Sequence, residues 1–347
     1  MAKRKVRRGP FEPLLDVILK KEWMKTIETL KPLAKLSPNN LDNWVSLASC
    51  YYHVGQYENL WQATVNVVRL NPGDSKNWFN VANAAMMNHL WFTAQYYADQ
   101  FLIKFPNDKY YEQIQELRQR VENVTTKVLA SPNTERGASS IDLREMEQAE
   151  IAITNGDYLL AERLINQTLQ RSPTLIAPLN VLSLLYSAQG KFSEAITTAR
   201  QVLAKYPNNI HALSNLAQLL WRTAQTSEAE LIAAKLNQPT STNALLLKQL
   251  EALSFMGKDS AVIQLFEQSE QRFKENLRVS DYSPMTYHLV SVAYAHQGNE
   301  KQAKQLWETA LEKNKNFEPA RQNLDNLKQP FGQRFKAFPF SRFKKGE

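Results

Sequence analysis

The sequence is poor in several features that define common protein classes. Of its 347 residues, one is a cysteine (Cys50) and ten are glycines. A single cysteine excludes an intramolecular disulfide framework and a cysteine-rich metal site. No Gly-x-x-x-x-Gly-Lys or Gly-x-Gly-x-x-Gly pattern occurs, which argues against phosphate binding by a glycine-rich loop. No apolar run approaches the roughly 18 residues of a membrane span, and no apolar signal-peptide stretch follows the basic start. We therefore expect a cytoplasmic protein.

Excess charge is also scarce over most of the chain, although the formal net charge is +8. Five basic residues and no acid lie within residues 1–8, and five basic residues with one acid lie within 331–347. The remaining 32 basic and 33 acidic residues leave 9–330 with a net charge of −1. A uniformly basic nucleic-acid-binding domain is therefore not expected, and any affinity for polyanions belongs to the two ends.

What the sequence does contain is a period of 34 residues. Proline marks it twice, first at Pro38, Pro72 and Pro106, and again at Pro173 and Pro207. Five glycines hold one equivalent place in their segments: Gly55, Gly156, Gly190, Gly257 and Gly298. His89 stands where glycine is expected, and one further step of 34 from Gly190 reaches Ala224. Apolar residues recur at helical spacing on both sides of each glycine, which predicts pairs of amphipathic helices that must stack to bury their faces.

This pattern resembles the tetratricopeptide repeat, a 34-residue helix–turn–helix unit. Residues 41–74 carry the pattern as Trp44, Leu47, Ala48, Tyr51, Gly55, Tyr57 and Pro72, and residues 176–209 carry it as Leu182, Ser183, Tyr186, Gly190, Phe192, Ala195 and Pro207. The resemblance implies an all-α, right-handed superhelical solenoid of about eight repeats. We assign its motif aromatics to the core between helices.

Departures from the period divide the chain into segments. We expect a basic arm at 1–9, a first block of about three repeats at 10–108, and a helix plus linker at 109–141. A second block of about five repeats at 142–317, a capping helix at 318–328 and a basic, aromatic tail at 329–347 complete the prediction. Residues 7–40 fit the repeat only in their second half, and a charged insertion is expected at 273–283.

No catalytic, metal or cofactor site is predicted, so we do not expect an enzyme. The five histidines form no His-Glu-x-x-His motif. Cys50 and His53 are expected to be a packed thiol beside a surface imidazole. His288 and His296 are expected to be solvated or groove residues.

The resemblance implies that the first helix of each pair lines a concave groove that holds a segment of a partner protein. By repeat position the groove residues are Tyr52, Asn80, Asn83, Asn180, Asn215, Gln218, Trp221 and Arg222. Recurrent asparagine suits this role because its amide can pair with both the N–H and the C=O of a peptide. The lysines that clamp a chaperone's C-terminal carboxylate in some family members are not assembled here.

The two ends offer separate contacts. Basic residues at the start that could bind a polyanion are Lys3, Arg4, Lys5, Arg7 and Arg8, and the predicted tail contacts are Arg334, Phe335, Lys336, Phe338, Phe340, Arg342, Phe343 and Lys344. The tail either folds back on the last repeat, docks on a partner, inserts in an anionic membrane surface or stacks on nucleic acid.

We therefore predict a non-catalytic scaffold or adaptor that binds another protein, with no small-molecule substrate. One alternative is a nucleic-acid-associated subunit that uses the basic arms, and a second is a peripheral membrane assembly factor that uses the tail.

Overall fold

Every regular element in the described part of the chain is a helix, which confirms the predicted all-α fold. The computed structural model describes residues 12–130, 137–240, 242–275 and 282–328. These ranges contain seventeen α-helices and no strand. Within the same ranges, none of the helices combines the length and hydropathy that crossing a bilayer requires.

The chain divides into two compact units, residues 1–131 and 132–347, with the boundary in a stretch rich in Pro, Gly and Ser. Unit 1 contains α1 (Glu12–Leu36), α2 (Leu41–Val54), α3 (Tyr57–Leu70), α4 (Ser75–Met87), α5 (Trp91–Lys104) and α6 (Tyr111–Leu129). Unit 2 begins with α7 (Ser140–Thr154), α8 (Tyr158–Arg171), α9 (Ala177–Ala188), α10 (Phe192–Lys205), α11 (Ile210–Arg222) and α12 (Thr226–Leu236). It ends with α13 (Asn243–Phe255), α14 (Asp259–Glu275), α15 (Pro284–His296), α16 (Glu300–Lys313) and α17 (Glu318–Leu327).

The turn inside each helix pair needs a residue in the left-handed region. The five glycines that mark the period all have positive φ, between 69° and 79°. His89 and Ala224 hold the equivalent places in their pairs and also have positive φ, 58° and 59°. Glycine accepts this conformation without a Cβ penalty, whereas other residues are strained there. The period seen in the sequence is therefore the repeated geometry of one turn.

Small residues let the two helices of a pair approach closely. Ala82 and Ala94 in unit 1, and Ala161 and Ala217 in unit 2, are completely buried. A larger side chain at such a position would force the helix axes apart, because protein interiors are close-packed.

In the described ranges two complete helix pairs lie in unit 1 and five in unit 2, and the predicted total of about eight repeats stays a prediction. Residues 12–36 of the first predicted repeat form one continuous helix, α1, which packs on α2 as a second helix packs on the next pair. α6 packs on α5 and α4, and α17 packs on α16, each in the place of a further first helix. The handedness of the superhelix stays a prediction.

Candidate interaction surface

In unit 2 the first helices of successive pairs contact one another. These are α7, α9, α11, α13 and α15, and each packs against the next as well as against its own second helix. We call the surface of these five helices the first-helix face. Five of the eight predicted groove residues lie on two of them, α9 and α11: Asn180, Asn215, Gln218, Trp221 and Arg222.

Two of the predicted asparagines are joined directly across this face. The Nδ2 atom of Asn215 on α11 donates to the main-chain oxygen of Asn180 on α9, at 3.1 Å. The Oδ1 atom of Asn180 is buried and accepts no hydrogen bond within the described ranges. Asn180 and Asn215 are both half-buried. The Asn215 amide therefore links the two helices.

The last turns of α11 carry an amide, an aromatic ring and a cation together. Gln218 donates to the Ser214 main-chain oxygen at 3.2 Å, which leaves its side-chain oxygen as an acceptor. The guanidinium carbon of Arg222 lies 4.9 Å from the centre of the Phe192 ring. The ammonium nitrogen of Lys258 lies 5.5 Å from the Trp221 ring centre and also pairs with Glu230. These cation–π contacts hold the two cations at the edge of the face.

The other three predicted groove residues belong to unit 1. Tyr52 on α2 is 52% exposed and meets the edge of His53, with ring centres 5.7 Å apart. Asn80 on α4 is exposed, whereas the Nδ2 atom of half-buried Asn83 donates to the Phe79 main-chain oxygen at 3.0 Å. Phe79 stacks on Tyr110, with ring centres 5.0 Å apart. The predicted groove residues are thus divided between the two units, with three in unit 1 and five in unit 2.

The charged and aromatic residues predicted at the two ends lie outside the described residues. They are Lys3, Arg4, Lys5, Arg7 and Arg8 at the start, and Arg334, Phe335, Lys336, Phe338, Phe340, Arg342, Phe343 and Lys344 at the end. Part of the predicted insertion, residues 276–281, also lies outside them.

The histidine prediction is wrong for His288, which is fully buried rather than solvated. The indole N–H of Trp307 donates to its Nδ1 atom at 3.1 Å, and the Phe317 ring packs edge-on against it. Burial lowers the pKa of His288 to about 3. The imidazole is therefore a neutral group of the core. Its Nδ1 atom accepts the hydrogen bond of the buried Trp307 indole between α15 and α16.

His296 and Cys50 differ from each other in exposure, since the imidazole is at the surface and the thiol is in the core. His296 is exposed, and a hydrogen bond from its Nδ1 atom to Asp259 at 2.8 Å raises its pKa. Cys50 is buried, and desolvation raises the pKa of its thiol, which makes it a poor nucleophile. His53 stacks on Trp23, with ring centres 4.6 Å apart. The prediction of a packed thiol beside a surface imidazole is confirmed.

A charge cluster at the start of unit 2, which the sequence did not indicate, pairs two buried carboxylates with an exposed arginine. Arg171 on α8 contacts Asp142 at 2.9 Å and Glu145 at 2.5 Å, both on α7, and these two carboxylates are almost inaccessible. Thr168 donates to Glu145 at 2.7 Å, and Ser139 forms a capping box with Asp142. The Ser139-x-x-Asp142 spacing predicts a helix start, but nothing in the sequence indicates the partner 29 residues later. Among the described residues, no three His, Cys, Asp or Glu side chains are grouped so that they could hold a metal ion.

Only some of the motif aromatics are core. Trp78 and Trp307 are buried, whereas Trp44, Tyr158 and Phe192 are half-buried. A polar role was not foreseen: the indole N–H of Trp44 donates to the Pro38 oxygen at 2.9 Å, and that of Trp78 to the Pro72 oxygen at 2.8 Å. In α2 and α4 the motif tryptophan therefore connects the first helix to the proline that closes the preceding repeat.

Comparison with known sequences agrees with this geometry. The tetratricopeptide-repeat family profile matches residues 186–250, which run from the end of α9 to the middle of α13. Residues 186–250 therefore resemble tetratricopeptide repeats, within a chain whose described residues form helical repeats. Repeats of this type commonly bind other proteins and are typically non-catalytic. No curated protein sequence matches the chain.

Solved structures with similar helical repeats are distant in sequence. A tetratricopeptide repeat protein from Parabacteroides merdae is 14% identical, with 91% of this chain and 96% of that one covered and a TM-score of 0.33. Yeast Tom70 is 12% identical, with 88% and 91% covered and a TM-score of 0.38. Cut9 in the Cut9–Hcn1 hetero-tetramer of APC/C is 12% identical with a TM-score of 0.41, and the match covers 90% of this chain but 54% of that one. Similarity at this level carries no information on partners.

Proposed function

We propose that this chain is a non-catalytic scaffold or adaptor that binds a segment of a partner protein on the first-helix face of unit 2. It would act as a regulator, a chaperone or a subunit of a larger complex. The observation that carries the proposal is the grouping of Asn180, Asn215, Gln218, Trp221 and Arg222 on two helices that contact each other.

The chemistry of these groups suits a peptide main chain and its side chains. The side-chain oxygen of Gln218 can accept from a peptide N–H, and the second N–H of the Asn215 amide can donate to a carbonyl. Half-buried Trp221 offers an apolar surface, and Arg222 offers a charge-assisted contact to a carboxylate.

Rigidity makes such a face effective. Leu213, Leu216 and Leu220 on the opposite side of α11 are buried in the core cluster that extends from α10 to α17. A face held in place by this packing loses little conformational entropy on binding, so more of the contact energy appears as affinity. In the same proposal the basic residues at the two ends add a second contact, and two modest contacts on one chain produce avidity.

The test compares two double variants that make the same chemical changes on different helices. Gln218→Ala with Arg222→Glu alters the first-helix face, and Gln167→Ala with Arg163→Glu alters exposed positions on the second helix α8. Partners are captured from the native host with the unaltered chain, identified by mass spectrometry, and purified for titration. We expect the first variant to weaken partner binding by about 10-fold or more and the second by less than about 2-fold. Equal affinities for both variants, with unchanged melting temperatures, would contradict the proposal.

A further inference from the structure

Aromatic rings and cations alternate along the edge of unit 2 that carries the turns inside successive helix pairs. Two of these ring–cation contacts join one helix pair to the next, and the third lies within the pair formed by α9 and α10. We call the six residues the turn-edge row, and give the distance from each ring centre to the ammonium nitrogen or guanidinium carbon: Tyr186 with Lys191 at 5.8 Å, Phe192 with Arg222 at 4.9 Å, and Trp221 with Lys258 at 5.5 Å.

The rings of the row determine where its cations lie. Tyr186, Phe192 and Trp221 are half-buried, and all three pack against the large core cluster of unit 2. A cation over a ring is attracted by the negative ring face, so that a long side chain is held in one region. An ammonium has three N–H donors and a guanidinium has five, so contact with a ring face does not exhaust them. The row therefore presents positive charge at restricted positions, which reduces the entropy lost when an anionic group binds.

The part of unit 2 that contains the row is also its basic part. Residues 177–226, from the start of α9 to the start of α12, contain four basic residues and one acid. Residues 140–171, which span α7 and α8, contain three basic residues and six acids. Cations already pair with three carboxylates on the helices next to the row: Glu228 with Arg200 at 2.7 Å, Asp259 with His296 at 2.8 Å, and Glu230 with Lys258. An anionic partner is therefore favoured at the row and disfavoured at the start of the unit.

We propose that the turn-edge row binds an acidic segment of the partner protein, whose Asp and Glu carboxylates pair with Lys191, Arg222 and Lys258. Carboxylates form charge-assisted hydrogen bonds with both kinds of cation, and bidentate ones with a guanidinium. Single-stranded nucleic acid suits the row less well, because bases stack on open rings, whereas each ring of the row packs on the core and carries a cation. The inference rests on the proposed function, because Trp221 and Arg222 also belong to the first-helix face, and it adds the chemistry of the bound segment.

The first test titrates the full chain with synthetic probes at physiological salt. The probes are a labelled peptide of alternating Glu and Gly, the same peptide with Gln in place of Glu, and an oligothymidylate of equal charge. The row variant is Lys191→Gln with Arg222→Gln and Lys258→Gln. Its control is Arg163→Gln with Lys205→Gln and Lys235→Gln, which removes three cations elsewhere in unit 2. Lys205 is a close match, because it also lies over a ring, that of Tyr206 at 5.5 Å, but at the opposite end of α10.

We expect the row variant to bind the acidic peptide at least about 10-fold more weakly than the unaltered chain, and the control less than about 3-fold more weakly. Equal losses in the two variants would overturn the proposal, because general attraction by net charge would then explain the binding. An acidic peptide that binds no better than its glutamine counterpart would also overturn it. Tighter binding of the oligothymidylate than of the acidic peptide, lost in the row variant, would show that the row takes nucleic acid and would overturn it as well.

The second test uses the captured partner and separates this inference from the proposed function. Lys191→Gln with Lys258→Gln leaves Gln218 and Arg222 unaltered, and is expected to weaken partner binding by about 5-fold or more. If this variant binds the partner normally while Gln218→Ala with Arg222→Glu still weakens it, the acidic-segment inference alone is wrong. If instead Gln218→Ala with Arg222→Glu binds the partner normally while the row variant still loses the acidic peptide, the proposed function alone is wrong.

Discussion

The two units build the same repeat from different interior chemistry. Five of the seven tryptophans lie in unit 1, the shorter unit, and two lie in unit 2. In unit 1, Trp78 donates to the Pro72 oxygen, packs against Tyr97 and lies under the ammonium of Lys104, whose nitrogen is 4.1 Å from the ring centre. Aromatic rings thus combine packing and polar contacts in unit 1.

In unit 2, polar and charged groups join the two helices of a pair at two places. The Arg171 cluster joins α7 to α8, and the His288–Trp307 hydrogen bond joins α15 to α16. Gln249 is fully buried and donates to the main-chain oxygens of Leu236 and Gln238. The comparison shows that the repeat specifies where helices meet, while the groups that make each junction vary. It also predicts that the stability of unit 2 depends more strongly on pH than the stability of unit 1.

The largest expected effect comes from breaking the charge cluster of unit 2. Arg171→Met leaves the carboxylates of Asp142 and Glu145 buried without their cation. Because the Arg171 side chain is 39% exposed and partly screened by solvent, the loss should be about 2–3 kcal/mol of unfolding free energy. Urea unfolding and hydrogen exchange in α7 and α8 measure this loss. Arg163→Met on the exposed side of α8 is the matched control and should cost less than about 0.5 kcal/mol. Equal losses for both variants would show that the cluster contributes nothing specific.

Acid should weaken unit 2 through His288. In the unfolded chain this histidine binds a proton near its ordinary pKa of 6.5, whereas in the fold its pKa is about 3. The unfolded state therefore binds more protons in this window, and stability should fall by about 1.4 kcal/mol for each pH unit below 6.5. His288→Asn keeps an acceptor for the Trp307 indole and does not titrate, so its slope from pH 6 to 4.5 should be flatter. An unchanged slope would contradict the assignment to His288.

Asp142 adds a second acid-dependent contribution at lower pH. Burial opposes its ionisation, but hydrogen bonds from Ser139 and Arg171 outweigh burial and hold its pKa below the ordinary value of 3.8. The stability it contributes is present above that value and is lost as pH falls through its folded pKa. Asp142→Asn should therefore lower stability at pH 7 while reducing the loss below pH 4. Denaturant titrations at both pH values check this, and an equal deficit at each would argue against a titrating Asp142.

A smaller effect is expected from the tryptophan of unit 1. Trp78→Phe removes the N–H that meets Pro72 and the larger ring under Lys104, and should cost about 1–2 kcal/mol. Trp44→Phe removes the equivalent bond to Pro38 from a half-buried site and should cost less. Thermal unfolding of both variants measures the two stability losses. A larger loss for Trp44→Phe than for Trp78→Phe would contradict the account of unit 1.

The smallest expected effect is a gain in stability. Ala224→Gly relieves a strained φ of 59° at an exposed turn and should stabilise unit 2 by about 0.5–1 kcal/mol. His89→Gly relieves a φ of 58° in unit 1, but it also removes a ring contact with Trp91 at 5.3 Å, so its gain should be smaller. Differential scanning calorimetry compares the two, and destabilisation by Ala224→Gly would contradict the strain argument.

The sequence predicted those parts of the fold that recur and missed those that occur once. The turn glycines, with His89 and Ala224 in their places, were found because a period repeats one backbone geometry. The Arg171 cluster and the buried His288 were not found, because each depends on a contact between residues 19 to 29 positions apart that no other repeat contains. The candidate site was predicted by position along the first helices, but the Asn215–Asn180 bond required coordinates.

The most direct measurement of the central claim is the hydrogen-exchange footprint of a captured partner on unit 2. If the first-helix face binds the partner, amide exchange in α9, α11 and α13 should slow when the complex forms. Amide exchange in the second helices α8, α10 and α12 should be unchanged. A footprint on the second helices, or one that leaves α11 unprotected, would contradict the account.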